Sequence, residues 1–202
     1  VFETTANNIG MRAAKGEFFV LLQDDHRPIA LGWNTELAAP VRAFEDVVGV
    51  GARCAVDFFY IKRNESIGQD CELTPVEKPK CQFFIRDTVN RGPLLLHAEK
   101  VRILGYLDEQ NLFLEGDDHD FFARAWFQHG WVAGWYPTSF EHLFAYGRSR
   151  KQHIEKSELE KAFMEARRQR GNGGGFLRQN VTAEQLASHN AVRIIPSPLC
   201  IN

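Results

Sequence analysis

Cysteine is sparse, and none of the four residues (Cys54, Cys71, Cys81, Cys200) form a Cys-x-x-Cys pair. That spacing argues against a structural zinc site. No apolar run reaches spanning length, so no transmembrane helix is expected, and no secretory leader is visible. A charge excess is also lacking: net charge is -2 and the isoelectric point about 6.4. A protein held to nucleic acid by a basic surface would be more positive. The glycine run at Gly171-Asn172-Gly173-Gly174-Gly175 has no Gly-Lys-Ser/Thr ending and no apolar strand before it, which excludes a phosphate loop. No internal repeat is present. The chain opens with Val1 rather than Met, inside what reads as a structured unit, so an upstream segment is expected.

What remains is ordinary soluble-domain material. The 202 residues are 44% hydrophobic and 25% charged, enough for one domain with a full core. Cys71 and Cys81 flank a Pro-containing stretch that would suit a hairpin loop. A disulfide there needs an oxidising compartment, and free buried thiols in a cytosolic protein are the expectation.

The most informative stretch runs from Asn7 to His26. A helix through Ala13, Ala14 and Lys15 stops at Gly16. An apolar strand, Glu17 to Leu22, then breaks into Gln23-Asp24-Asp25-His26. In open α/β sheets, ligands bind outside the carboxyl ends of strands. Polar groups clustered there are costly to bury unpaired, so either a cation or a solvated cleft is expected. An acidic turn closed by Pro28 is the plain alternative.

Further along, Trp33 to Phe44 reads as an amphipathic helix with Pro40 as a flaw, and Val47 to Ala52 as a strand. Val56 to Ile61 and Cys81 to Arg86 read as strands on either side of a polar excursion, Ile67 to Lys80. Leu94 to His97 is a short strand, followed by a helix over Ala98 to Leu104 that Gly105 ends. Asp117 to His129 reads as a helix closed by Gly130. Strands follow at Trp131 to Tyr136 and Phe140 to Phe144. Beyond Arg148 the chain turns highly charged, with helices expected at Glu155 to Arg170 and Ala183 to His189 and a short strand at Val192 to Ile195.

A second acidic cluster, Glu115-Gly116-Asp117-Asp118-His119-Asp120, opens the Phe121 helix. Asp117 can cap, and acids suit the positive end of a helix dipole. That accounts for one or two carboxylates and less well for the set. The alternative is a general base that takes a proton from an attacking hydroxyl. A third element, Glu141-His142, precedes Arg148, Ser149, Arg150 and Lys151, where cations would suit an anion.

The order of these elements resembles glycosyltransferase family 2. Asn8-Ile9-Gly10 through Ala14, Gly16-Glu17-Phe18 and Leu22 is similar to that family's entry into its metal-binding D-x-D strand. Arg91-Gly92-Pro93-Leu94-Leu95, then Leu104-Gly105-Tyr106-Leu107-Asp108-Glu109, resembles its G-x-x-L … G-G-F-D-E. Gly116-Asp117-Asp118-His119-Asp120-Phe121 to Arg124 resembles its G-E-D-x-D-[LF]-x-x-R. The match covers about Asn7 to Ser149.

The resemblance implies an α/β, GT-A-like fold: a mixed, mostly parallel sheet flanked by helices, with the N-terminal part missing. Residues 1–150 would be the C-terminal part of the catalytic domain and 151–202 a charged helical tail. It implies an inverting transferase that uses a nucleotide-diphosphate sugar and Mn²⁺ or Mg²⁺, acting on a carbohydrate, lipid-linked or protein acceptor. Asp24 and His26, with Asp25 between, align with D-x-D; a second register uses Gln23 and Asp25. Imidazole in place of the second Asp favours Mn²⁺. His142 would be a third ligand or a diphosphate contact, with Arg148 and Ser149 at the donor phosphates. Asp118 would be the base, with Asp117 able to exchange roles. Trp33 and Arg91 are acceptor-side candidates, a core Trp and a turn-fixing Arg being the alternatives. Asp108 and Glu109 read as turn residues, an acceptor contact being the alternative. The expected location is cytoplasmic, with peripheral membrane attachment open. A metal-dependent phosphoesterase and a non-catalytic sugar-binding fragment are the competing readings.

Overall fold

A computed structural model describes residues 2–23, 26–28, 31–52, 54–56, 69–71, 81–86, 88–89, 92–113, 116–136, 138, 140–142, 158–162, 165 and 192–200. In chain order the elements are α1 (Glu3–Ala13), β1 (Phe18–Leu21), β2 (His26–Pro28), α2 (Trp33–Ala43), β3 (Val47–Gly51), β4 (Cys54–Val56) and β5 (Gln69–Cys71). Then follow β6 (Gln82–Arg86), β7 (Thr88–Val89), β8 (Leu94–His97), α3 (Ala98–Leu104), α4 (Asp117–His129), β9 (Val132–Trp135), β10 (Phe140–His142) and β11 (Val192–Ile194).

The main sheet has six strands in the order β1-β8-β3-β9-β6-β11. Its residues alternate between two cores, as side chains on a pleated strand must. On β8, Leu94 and Leu96 face the core shared with α1, α3 and α4, through Met11, Val101, Phe121 and Phe122. Leu95 faces the other, shared with α2 through Leu37 and Val41. Phe83 and Ile85 of β6 join Leu95, whereas Phe84 turns to the first side. Gly49 of β3 is small for a reason: a Cβ there would lie 2.7 Å from the Phe122 ring.

The expectation of a mixed α/β sheet flanked by helices holds. The pairing hand differs from the mostly parallel sheet expected: within this sheet β3–β9 is the parallel pair, and the other described pairings are antiparallel. Strand residues alone do not encode pairing hand. β2 and β10 form a separate antiparallel ribbon, and β5-β4-β7 a third small sheet.

Two further expectations are corrected. α1 starts at Glu3 and ends at Ala13, before Lys15, with Ala14 already extended. Cys81 is not a free thiol, nor is it paired with Cys71: it is bonded to Cys200, 119 residues away. The backbone of Cys71 lies opposite Cys54 in the β4–β5 pair.

Described residues beyond 150 also meet the main sheet and one of its cores. β11 extends the main sheet beside β6, Ile195 enters the second core, and Leu199 packs against it. Arg193 grips Asp46 with two hydrogen bonds of 2.5 and 2.7 Å. In the helical stretch 158–162, buried Glu160 accepts the N–H of Phe113, just before α4. The helix expected at Ala183 to His189 lies outside the described residues, as do parts of the Val56–Ile61 and Glu155–Arg170 expectations.

Candidate active site

Antiparallel pairing sets Leu21 of β1 and Gly51 of β3 on either side of Leu94, at the start of β8. Parallel pairing sets Trp135 of β9 beside Gly51. The carboxyl ends of β1, β3 and β9 therefore open on one rim, where open α/β sheets bind ligands. The peptide chain is stitched across it: Ala52 N–H donates to Pro93 at 3.2 Å, and the Trp135 indole N–H to Ala52 at 3.1 Å.

The first turn of α1 joins Gln23 to the start of α4 at this rim. Gln23, just past β1, donates to the Glu3 carboxylate at 3.3 Å. The next residue, Thr4, donates its hydroxyl to Asp117 Oδ2 at 2.8 Å. Gln23 and Asp117 thus meet adjacent residues of one helix, although 94 positions separate them in the chain. Thr4 and Asp117 are both buried.

Within α4 the roles of the acids divide. Gly116, with φ +73°, is the N-cap, so Asp117 is not the cap the sequence suggested. Asp117 instead takes the Thr4 hydroxyl and, at 3.0 Å, the N–H of Asp118. Asp120 is held at 2.8 Å by Arg124, whose other nitrogens donate to the carbonyls of Leu104 and Tyr106 at 2.6 Å each. Asp118 accepts the His119 N–H at 2.8 Å and lies 3.7 Å from the His119 ring, with its side chain 12% exposed. Asp117 is committed to α1 and Asp120 to Arg124, whereas Asp118 keeps a partly open carboxylate beside its neighbour His119.

His26 opens β2 and is buried. Gly92 is pressed against it: with φ +111°, its missing Cβ would fall 2.8 Å from both Gln23 Oε1 and His26 Cε1. In the β2–β10 ribbon, the backbone of His142 lies opposite that of His26. Asp24, Asp25, Arg91, Arg148 and Ser149 lie outside the described residues, as does the side chain of His142. Among the described residues, no three metal-ligating side chains converge.

Trp33 is the first residue of α2, half-buried and packed against the core that holds Leu37 and Tyr136. Burial, with the Glu36 charge adding, pushes the Tyr136 phenol up and keeps it neutral. Asp108 fixes a turn, as expected, by accepting the N–H groups of Gln110 and Asn111 at 3.2 Å. Glu109 instead takes Arg12 at 2.5 Å, and this hydrogen bond holds its carboxyl below the ordinary range. Glu3 and Thr4 carry no sequence signal as site-building residues, because their contacts to Gln23 and Asp117 are distant along the chain.

No family model matches the chain, and no curated protein matches it. Among solved structures, the chain is similar to GalNAc-T7 crystallised with UDP, GalNAc and Mn²⁺. The TM-score is 0.53 at 18% identity, over 94% of this chain and 44% of the other. The chain therefore spans less than half the length of that neighbour. The fold is GT-A-like: a mixed sheet of parallel and antiparallel strands flanked by helices.

Proposed function

We propose that this chain carries catalytic residues of a metal-dependent inverting glycosyltransferase, acting from a nucleotide-diphosphate sugar to an acceptor hydroxyl. One observation supports this reading: Glu3 and Thr4, adjacent on α1, bond Gln23 and Asp117, so the residue that follows β1 and the first residue of α4 meet the same helix turn at one strand-end rim. The GT-A-like fold supports a nucleotide-sugar donor.

In this reading Asp118 accepts the proton of the acceptor hydroxyl as its oxygen attacks the anomeric carbon, and the nucleoside diphosphate leaves. Thr4 fixes Asp117, which in turn fixes the Asp118 amide, so the base is positioned from α1. Asp24, Asp25, His26 and His142 are the ligand set for the cation. The chemistry of that set fits Mn²⁺: imidazole beside carboxylates suits a softer ion than Mg²⁺. Such an ion offsets charge on a departing diphosphate. Gly92 leaves the room that Gln23 and His26 occupy at this edge. Arg148 and Ser149 are proposed for the donor phosphates, with Trp33 and Arg91 on the acceptor side.

The Cys81–Cys200 bond favours an oxidising compartment over the cytoplasm expected from sequence. No helix among the described residues is long and apolar enough to cross a membrane.

Calorimetry with UDP, with and without Mn²⁺, tests the reading. UDP binding that needs Mn²⁺ and is lost in Asp24→Ala/His26→Ala supports it. Metal-independent binding, or release of phosphate from a simple ester without an acceptor, overturns it, the latter in favour of a phosphoesterase.

A further inference from the structure

A cavity of about 400 Å³ lies between the carboxyl end of α1, the turn after α3 and the first two turns of α4, at Asp120 and Arg124. Its volume suits a small-molecule subsite. Tyr106 lines it, and Tyr106 is unusual in its backbone. It follows Gly105 (φ +85°) and itself has φ +68°, a conformation that side chains with a Cβ rarely adopt. Glycine would sit there without strain, yet the chain places a large aromatic residue. Strain retained at one residue beside a cavity points to use of that side chain.

Four of the cavity's five charges are matched in pairs. Arg12 pairs with Glu109 at 2.5 Å and lies over the Tyr106 ring, 5.1 Å from its centroid. Arg124 pairs with Asp120 and closes the floor through the carbonyls of Leu104 and Tyr106. Asp108 is engaged by the Asn111 amide at 2.8 Å. An anionic ligand would have to break one of these pairs, since both guanidiniums are engaged. A neutral ligand with many hydroxyls meets carboxylate, guanidinium and the exposed Gln110 carboxamide without doing so.

We propose that this cavity is an accessory carbohydrate subsite that holds a remote unit of a neutral oligosaccharide acceptor. The proposal rests on the transferase reading of the rim. The placement agrees with it: α1 has Glu3 and Thr4 at the rim and Arg12 at the cavity, about 13 Å apart along a helix at 1.5 Å per residue. An oligosaccharide spans that distance, and binding energy from a remote unit is available to position the reacting one.

The test is NMR titration of the full chain with chito-, cello- and maltohexaose, alongside a UDP–Mn²⁺ titration. For at least one sugar, shifts centred on Tyr106 and Gln110 are expected. Tyr106→Gly relieves the backbone but removes a ring packed on the core and under Arg12, so it is titrated at a temperature where it is folded. Affinity for that sugar should fall at least 10-fold, and UDP–Mn²⁺ affinity should stay unchanged. Sugar affinity unchanged in Tyr106→Gly, or no shift at Tyr106 with any of the three sugars, overturns the subsite. Absence of UDP–Mn²⁺ binding with sugar shifts intact at Tyr106 would instead overturn the rim reading and leave the cavity as a sugar site. Because the wild-type shifts need no substitution, a variant that fails to fold does not remove the test.

Discussion

The Thr4 hydroxyl donates to Asp117 Oδ2 at 2.8 Å, across 113 residues, and both side chains are buried. This contact separates the functions of two carboxylates that are adjacent in sequence. Asp117 joins α1 to α4, and its other oxygen takes the Asp118 amide. Asp118 is the carboxylate with a partly open side chain.

The first prediction follows from that division. Asp118→Asn should lower transfer by roughly 10²–10⁴-fold, the usual contribution of a general base, with UDP affinity nearly unchanged. Asp117→Asn should instead cost about 1–3 kcal/mol of stability, because it disturbs a buried hydrogen-bonded group. Acceptor-dependent turnover and urea denaturation on both variants separate the two. Full turnover in Asp118→Asn, with loss confined to Asp117→Asn at unchanged stability, would mean the roles are exchanged.

Gly92 gives the second. A Cβ there would crowd Gln23 and His26 at 2.8 Å, and φ +111° disfavours any side chain. Gly92→Ala should cost about 1–3 kcal/mol from overpacking. It should also weaken Mn²⁺-dependent UDP binding, because it displaces His26. Chemical denaturation and calorimetry measure the two effects. Intact UDP–Mn²⁺ affinity in a destabilised variant would remove His26 from the metal set.

Much of the fold was legible because local rules sufficed. Gly105 and Gly130 end α3 and α4 with φ +85° and +67°, as helix-stopping glycines do. The alternation of Leu94, Leu95 and Leu96 between two cores matches a strand buried on both faces. What escaped was non-local. The start of α1 lacks a side-chain cap, so nothing marks Glu3 as its first residue. The pairing of β11 with β6 depends on a return across more than 100 positions, and neither strand records its partner. In the site, the Asp117–Asp120 cluster was visible as chemistry. Which aspartate was committed elsewhere was not, because Thr4 and Arg124 decide it.

The third prediction concerns pH. Hydrogen bonding to Arg193, with its charge adding, holds the Asp46 carboxyl below its ordinary 3.8. A carboxyl with a lowered folded value contributes stability above its unfolded value and loses it as pH falls through the folded one. The clamp on β11 should therefore loosen below about pH 4, and less sharply in high salt because both partners are partly exposed. Hydrogen exchange of the 192–195 amides between about pH 5 and about pH 2 reads this directly. Asp46→Asn should exchange fast across that range with little pH dependence beyond the intrinsic rate. Wild-type protection that tracks the intrinsic rate alone would show that Asp46 does not hold the edge.

The same edge is pinned a second way, which allows the two restraints to be compared. Cys200 follows β11 and is bonded to Cys81, the residue before β6, so the disulfide ties together two segments whose strands already pair. Its sequence separation is 119 residues, and closing a long loop reduces the freedom of the unfolded chain. Cys81→Ser/Cys200→Ser should therefore cost about 2–5 kcal/mol, seen as a lower denaturation midpoint, and mild reductant should reproduce the loss in the wild type. Glu3, Thr4 and Gln23 take no part in this edge, so UDP affinity should be unchanged at a temperature where the variant remains folded. If the variant keeps its stability, the sheet edge is held by Arg193–Asp46 and the burial of Ile195, and Asp46→Asn in that background should then release it.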